Sequence, residues 1–197
     1  MQPQDTLYSI AWRHDLDYRA LARWNGIGPD YHISVGQILS LRPATPPVAT
    51  PSAQRGAPAD APPRAAAPPV PPAQQSASGR WMWPTSALES PRAVAGGGIL
   101  MVGVLGQPVR AAGTGRIVYL GSGIRGYGNL IIIKHDESFL SAYAHTQSVA
   151  VREGQEVVRG QVIAQMGLGP HQSPALYFEI RLNGKPVDPR PYLAGEK

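Results

Sequence analysis

Two different rhythms of apolar residues divide this chain. Near the N-terminus, Leu7-Tyr-Ser-Ile-Ala-Trp12 places apolar side chains at i, i+3 and i+4 behind Asp5 and Thr6, which reads as a helix opened by an Asp or Thr cap. A second helix is expected from Asp17 through Ala20, Leu21, Ala22 and Trp24, stopped by Asn25-Gly26. Ile33 to Leu41 then turns at Val35-Gly36 and is expected to enter a strand. Beyond Pro108 the rhythm changes to short strands separated by glycine turns. The expected strands are Gly113–Tyr119, Asn129–His135, Phe139–His145, Val149–Val151, Gly154–Val158, Val162–Ala164 and Ala175–Leu182, with a hairpin turn at Asn183-Gly184. The resulting fold class is mainly β, with a small α+β module at the N-terminus.

Between the two patterned regions, residues 43–80 are rich in Pro, Ala, Ser and Gln, and large apolar side chains are almost absent. About half of the 21 prolines stand here. Such a segment buries too little surface to offset ordering its backbone, so a disordered linker is expected. At roughly 3.1 Å per residue in an extended polyproline conformation, it would reach on the order of 100 Å. Three segments follow: 1–42, the linker 43–80, and a β domain at 81–197.

Composition narrows the chemistry. There is no cysteine among the 197 residues, which removes disulfides, thiolate metal sites and cysteine nucleophiles. The net charge of +5 favours an acidic partner. The basic residues are scattered, however, with no aromatic-interleaved stripe, so nucleic acid is not expected as a partner. No apolar run is long enough to span a membrane. An export signal would have been removed or would lie upstream of Met1, and any membrane contact would run through a lipid anchor that this chain does not carry.

Three motifs of the first segment occur in order: Asp5-Thr-Leu-Tyr-Ser-Ile-Ala-Trp12, Leu21-Ala-Arg-Trp-Asn-Gly-Ile27 and Ile33-Ser-Val-Gly-Gln-Ile-Leu-Ser-Leu41. Together they resemble a LysM module, a β-α-α-β unit that binds glycans containing N-acetylglucosamine. The family's opening strand has no counterpart ahead of Asp5, where only Met1-Gln-Pro-Gln4 stand. The resemblance implies peptidoglycan as a partner, with glycan contacts at Asp5, Thr6, Leu7, Asn25, Gly26, Ile27, Gly28 and Pro29. The same residues also read as ordinary capping and turn chemistry.

The β domain carries a second set of motifs: Trp83-Pro-Thr85, Arg125-Gly-Tyr-Gly-Asn-Leu-Ile-Ile-Ile-Lys-His135, Leu140-Ser-Ala-Tyr-Ala-His145, Val151-Arg-Glu-Gly-Gln155 and Phe178-Glu-Ile-Arg181. These resemble the LytM (lysostaphin-type) metallopeptidase family. The run Arg125–His145 is most similar to its NlpD-type branch, whose members activate N-acetylmuramoyl-L-alanine amidases. Active members hold zinc with a His-x-x-x-Asp motif and the second His of a His-x-His motif. Fitted to this chain, the first motif falls on Gly96 to Leu100 and the second on Ala175 to Tyr177. Glycine, leucine and alanine offer no ligand atom, and a phenol that titrates near 10 replaces imidazole poorly. His145 alone matches a family site residue, and His135 and His171 lack the two-residue spacing that would pair imidazoles on one strand face.

The resemblance therefore implies a degenerate enzyme without metal or other cofactor, whose groove (Gly96, Leu100, His145, Ala175, Tyr177, Glu179 and Arg181) docks a protein partner. The expected role is a peptidoglycan-bound adaptor that activates an N-acetylmuramoyl-L-alanine amidase during cell-wall splitting at division. Its expected location is the periplasm, at the outer membrane or septum. The alternative is a zinc endopeptidase that cuts peptidoglycan cross-links. Two further readings stay open: Glu179 and Arg181 form either a solvated strand face or a groove wall, and His145 is either structural or a surviving groove residue. Trp81 and Trp83 are expected to plug the start of the domain.

Overall fold

The computed structural model describes residues 5–43 and 81–193. The linker sequence beyond Pro43 lies outside the described residues, as does the tail after Leu193.

Helix α1 runs from Leu7 to Arg13 and α2 from Tyr18 to Trp24. Each begins where its capping residue predicts. Thr6 accepts a hydrogen bond from the Ser9 amide and the Ser9 hydroxyl returns the contact to the cap, while Asp17 accepts from the Arg19 and Ala20 amides. Seven residues are too few for a helix that stands alone in water, so both need a surface to pack on. The strand expected near Leu41 is not there. Instead the Asn25 side-chain amide takes the place of a neighbouring strand, donating to the Ser40 carbonyl and accepting from the Ser40 amide. One side chain thus satisfies both backbone groups of Ser40, and among the described residues the segment joins no ladder.

The second region is built from strands β1 (Arg92–Ala93), β2 (Ile99–Val102), β3 (Pro108–Arg110), β4 (Gly115–Gly121), β5 (Leu130–Lys134), β6 (Phe139–Ala144), β7 (Thr146–Gln147), β8 (Glu156–Val157), β9 (Val162–Met166), β10 (Ala175–Leu182) and β11 (Lys185–Val187). An eight-stranded antiparallel sheet has the order β1-β2-β10-β6-β5-β4-β8, with β11 paired to β10, and a smaller sheet has the order β3-β9-β7. Val149–Val151, expected as a strand, is not one; the pairing residues are Thr146 and Gln147, against Met166 and Gln165. Strands β1 and β2 carried no sequence expectation. Asn183 and Gly184, both in the left-handed region, form the anticipated turn into β11.

Alternation along the central strands gives the large sheet two apolar faces. Ile131, Ile133, Tyr143, Phe178 and Ile180 point to an inner core closed by Val109, Ile163, Ala164 and Met166 of the small sheet. Trp81 is buried in this core with Trp83 packed against it, as expected of a plug. Leu130, Ile132, Leu140, Ala142, Ala144 and Tyr177 point to the outer face. A register shift between Ile117 and Tyr119 lets β4 supply Ile117 to the inside and Tyr119 to the outside. The outer face is where the helices find their surface: Leu7, Ile10, Ala11, Trp12, Tyr18, Leu21 and Ala22 share one apolar cluster with it.

Candidate functional site

Strand β10 organises the site. Its odd-numbered residues Ala175, Tyr177, Glu179 and Arg181 follow one another along the outer face, and register pairs Tyr177 with Leu100 on one side and Ala144 on the other. Glu179 lies opposite Ala142, and Arg181 opposite Leu140. The small alanines of β6 leave the long side chains of β10 room to lie along the sheet.

Those side chains form a hydrogen-bonded ladder. The Tyr177 hydroxyl donates to Glu179 Oε2 at 2.6 Å, and Arg181 Nε donates to Glu179 Oε1 at 2.6 Å. Glu179 is 0% exposed and Arg181 is 3% exposed, which overturns the reading of these residues as a solvated strand face. Burial pushes the Glu179 carboxyl above its ordinary range, with Arg181 and the Tyr177 hydroxyl pulling it back. Burial also raises the Tyr177 phenol, and the neighbouring Glu179 carboxylate adds to the effect.

The residues present do not fit a zinc ion. The Tyr177 ring lies so close to Gly98 that a Cβ there would meet its Cζ and hydroxyl oxygen at 2.5 Å. The ring thus occupies the space above the β1–β2 turn, braced edge-on by Tyr127 at 5.4 Å between centroids, and its hydroxyl is committed to Glu179. Leu100 and Ala175 beside it bring no ligand atom. His135 is engaged elsewhere, with the Thr114 carbonyl and the Ser141 hydroxyl, and His171 is exposed in a short turn. Among the described residues no three His, Asp or Glu side chains gather into a metal-holding group.

His145 borders this region just past Ala144. Its backbone is left-handed and tied on both sides, the amide donating to the Tyr127 carbonyl and the carbonyl accepting from the Gly167 amide. The ring sits between Gly128 and Gly169, and a Cβ on Gly169 would touch both the ring and Ala175. Half-burial lowers its pKa. Of the sequence-predicted groove residues, Leu100, Tyr177, Glu179 and Arg181 thus follow one another across β2 and β10, with Ala175 and His145 at the far end of the row from Arg181. Gly96 stands apart on an exposed turn with nothing within 4 Å of its would-be Cβ.

The expected glycan contacts are largely absorbed by local structure. Leu7 is 0% exposed, Thr6 caps α1, and Asn25 holds Ser40. Gly26, Gly28 and Pro29 are exposed.

Sequence reasoning missed where the ladder leads. The Arg181 guanidinium lies 3.7 Å from the Trp12 ring, donates to the Trp12 carbonyl at 3.2 Å and pairs with Asp15 at 3.0 Å. Around it the Tyr18 hydroxyl donates to the Glu137 carbonyl, Lys134 lies over the rings of Tyr18 and Tyr31, and Arg19 donates to Asn183. Asp17 packs so tightly on Gly184 that any Cβ there would meet its backbone at 2.6 Å. No local pattern announces these contacts, because the partners are separated by well over a hundred residues, 166 in the case of Arg181 and Asp15.

Residues 2–42 match the LysM domain, and residues 96–189 match peptidase family M23. The chain is 45% identical to a lipoprotein NlpD/LppB homolog of Pseudomonas aeruginosa, over 96% of this chain and 74% of that protein. It is 37% identical to the murein hydrolase activator NlpD of Salmonella typhimurium, over 96% of this chain and 66% of that one. A peptidase M23 structure from Pseudomonas aeruginosa superposes with a TM-score of 0.54 at 24% identity, covering 60% of this chain and 52% of that one, a likeness of fold. With 96% of the chain aligned to such a relative at 45% identity, it belongs to the NlpD/LppB family, a LysM domain followed by a β domain of peptidase family M23.

Proposed function

We propose that this chain is a non-catalytic adaptor of the cell envelope: its LysM module associates with peptidoglycan, and its M23 domain binds and activates an N-acetylmuramoyl-L-alanine amidase during cell-wall splitting. The observation that carries this reading is the Tyr177–Glu179–Arg181 ladder. It puts a fixed, hydrogen-bonded tyrosine where the resemblance puts the second histidine of the His-x-His motif, with His145 still nearby. A groove kept in shape without its ligands is suited to holding a protein segment, and the name of the Salmonella relative, murein hydrolase activator, points the same way. The relatives' names as lipoproteins support a place in the periplasm, at the outer membrane or septum.

The test is dye release from labelled sacculi with this protein alone, an amidase alone, and both together. The expected result is no release by the protein alone and release by the pair well above the amidase by itself. Tyr177→Ala should weaken stimulation with the fold shown unchanged by circular dichroism, since truncating an aromatic anchor of a groove usually costs binding. Release by the protein alone that EDTA abolishes would instead establish the zinc endopeptidase. If no amidase of the source cell is stimulated, the adaptor reading is wrong.

A further inference from the structure

The groove wall that the adaptor reading assigns to a partner is already in contact with something. Arg181 has its guanidinium under Trp12 and against Asp15, and Glu179, bonded to Arg181, has no exposed surface. We infer that the LysM module is an autoinhibitory cover, docked on the outer face of the large sheet, and that a protein partner reaches Glu179 and Arg181 only after the module has moved off. This inference rests on the adaptor reading.

The contact has the chemistry of a detachable one. Interfaces between domains of one chain are more polar than permanent ones and resemble transient complexes. Here an apolar cluster of Leu7, Ile10, Trp12 and Leu21 on Leu130, Ile132 and Leu140 is ringed by polar anchors: cation–π contacts of Arg181 with Trp12 and of Lys134 with Tyr18 and Tyr31, the Arg181–Asp15 ion pair, and single hydrogen bonds from Tyr18 and Arg19. Undocking would not strand a buried charge, because Glu179 and Arg181 keep one another. The Asp15 side chain is 74% exposed even when docked, and the Trp12 indole N–H is buried without a hydrogen-bond partner among the described residues, a defect that release to water would cure. Gly26, Gly28 and Pro29 stay at the surface in the docked state, so holding glycan and covering the groove are compatible. The wall anchor alone would not open the groove; competition by the partner would.

Because the chain has no cysteine, a pair introduced as Arg19→Cys and Asn183→Cys, whose native side chains meet at 2.7 Å, provides the only two thiols. The full-length pair variant is joined by a short bismaleimide with a reducible spacer and tested for amidase stimulation on dyed sacculi. Joining should lower stimulation at least tenfold, cleavage of the spacer should restore it, and Asp15→Lys in the uncrosslinked chain should raise stimulation two- to fivefold at limiting concentration. The inference is overturned if the joined and cleaved forms stimulate equally, or if the pair joins no better than an Arg23→Cys, Asn183→Cys control. If no form stimulates any amidase, the adaptor reading has failed, and alkylation of Ala142→Cys on the covered face decides the cover separately. Its rate should then rise at least tenfold when the spacer is cut, and equal rates would refute the cover.

Discussion

The two faces of the large sheet are made from alternate residues of the same strands, yet they are closed in opposite ways. Ile131 and Ile133 of β5, with Tyr143 of β6 and Phe178 of β10, are sealed by the small sheet, whose own strands are held by backbone ladders. Ile132, Ala142 and Tyr177, each next in sequence to one of these, are sealed by two seven-residue helices from the far end of the chain. The inner closure is mainly apolar, and its hydroxyl groups at Ser141 and Tyr143 are bonded to one another. The outer one mixes apolar packing with a buried carboxylate, a guanidinium and a tyrosine hydroxyl. Apolar area on one face therefore joins two sheets of one domain, whereas on the other it joins that domain to the N-terminal helices.

That contrast is open to measurement. Ile133→Ala should cost the upper part of the roughly 2–5 kcal/mol range for such truncations and Ile132→Ala the lower part, because the module can settle over the second cavity while the small sheet cannot follow the first. Urea unfolding of the two variants decides the matter, and equal losses would erase the distinction. Next in size, Tyr177→Phe removes one donor from a buried carboxylate and should destabilise the protein by about 1–3 kcal/mol, read from the urea midpoint; no loss would mean the ladder does not form in solution. Asp15→Asn touches a pair whose acidic partner is largely exposed, so less than about 1 kcal/mol is expected, shrinking further in molar salt.

The smallest effect is titration of His145. Burial holds its folded pKa below the ordinary 6.5. As pH falls below that value the unfolded chain takes up the proton first, so stability declines until the lowered folded value is passed and then levels off. The melting temperature of the natural chain should fall relative to that of His145→Gln as pH is lowered over that interval, and a rise would contradict the burial of the ring.

Much of this architecture is legible in the amino-acid order. Leu130–Lys134, Phe139–Ala144 and Ala175–Leu182 are buried on both faces, and such strands leave an almost continuous apolar run, broken in the last by Glu179 and Arg181. Helix starts at Thr6 and Asp17 follow from capping chemistry that is local by nature. Ile99–Val102 was not recognised, since the Gly96-Gly97-Gly98 run ahead of it hides a strand whose place is set by pairing with β10. The strand expected after Gly36 failed for the converse reason: its apolar alternation is present, but Asn25 supplies what an adjacent strand would have. For the site, the period of two alone puts Ala175, Tyr177, Glu179 and Arg181 on one face. What lies over that face depends on Trp12, Asp15 and Tyr18, which nothing in their own neighbourhood marks as contact residues.

The clearance at Gly98 also bears on the history such a domain can have. Bringing histidine back at position 177 would withdraw the hydroxyl that Glu179 relies on and leave a buried carboxylate short of a donor, before any of the other missing ligands had been regained. A zinc site assembled by way of that substitution would pass through a destabilised chain, so the tyrosine acts as a brake on that route.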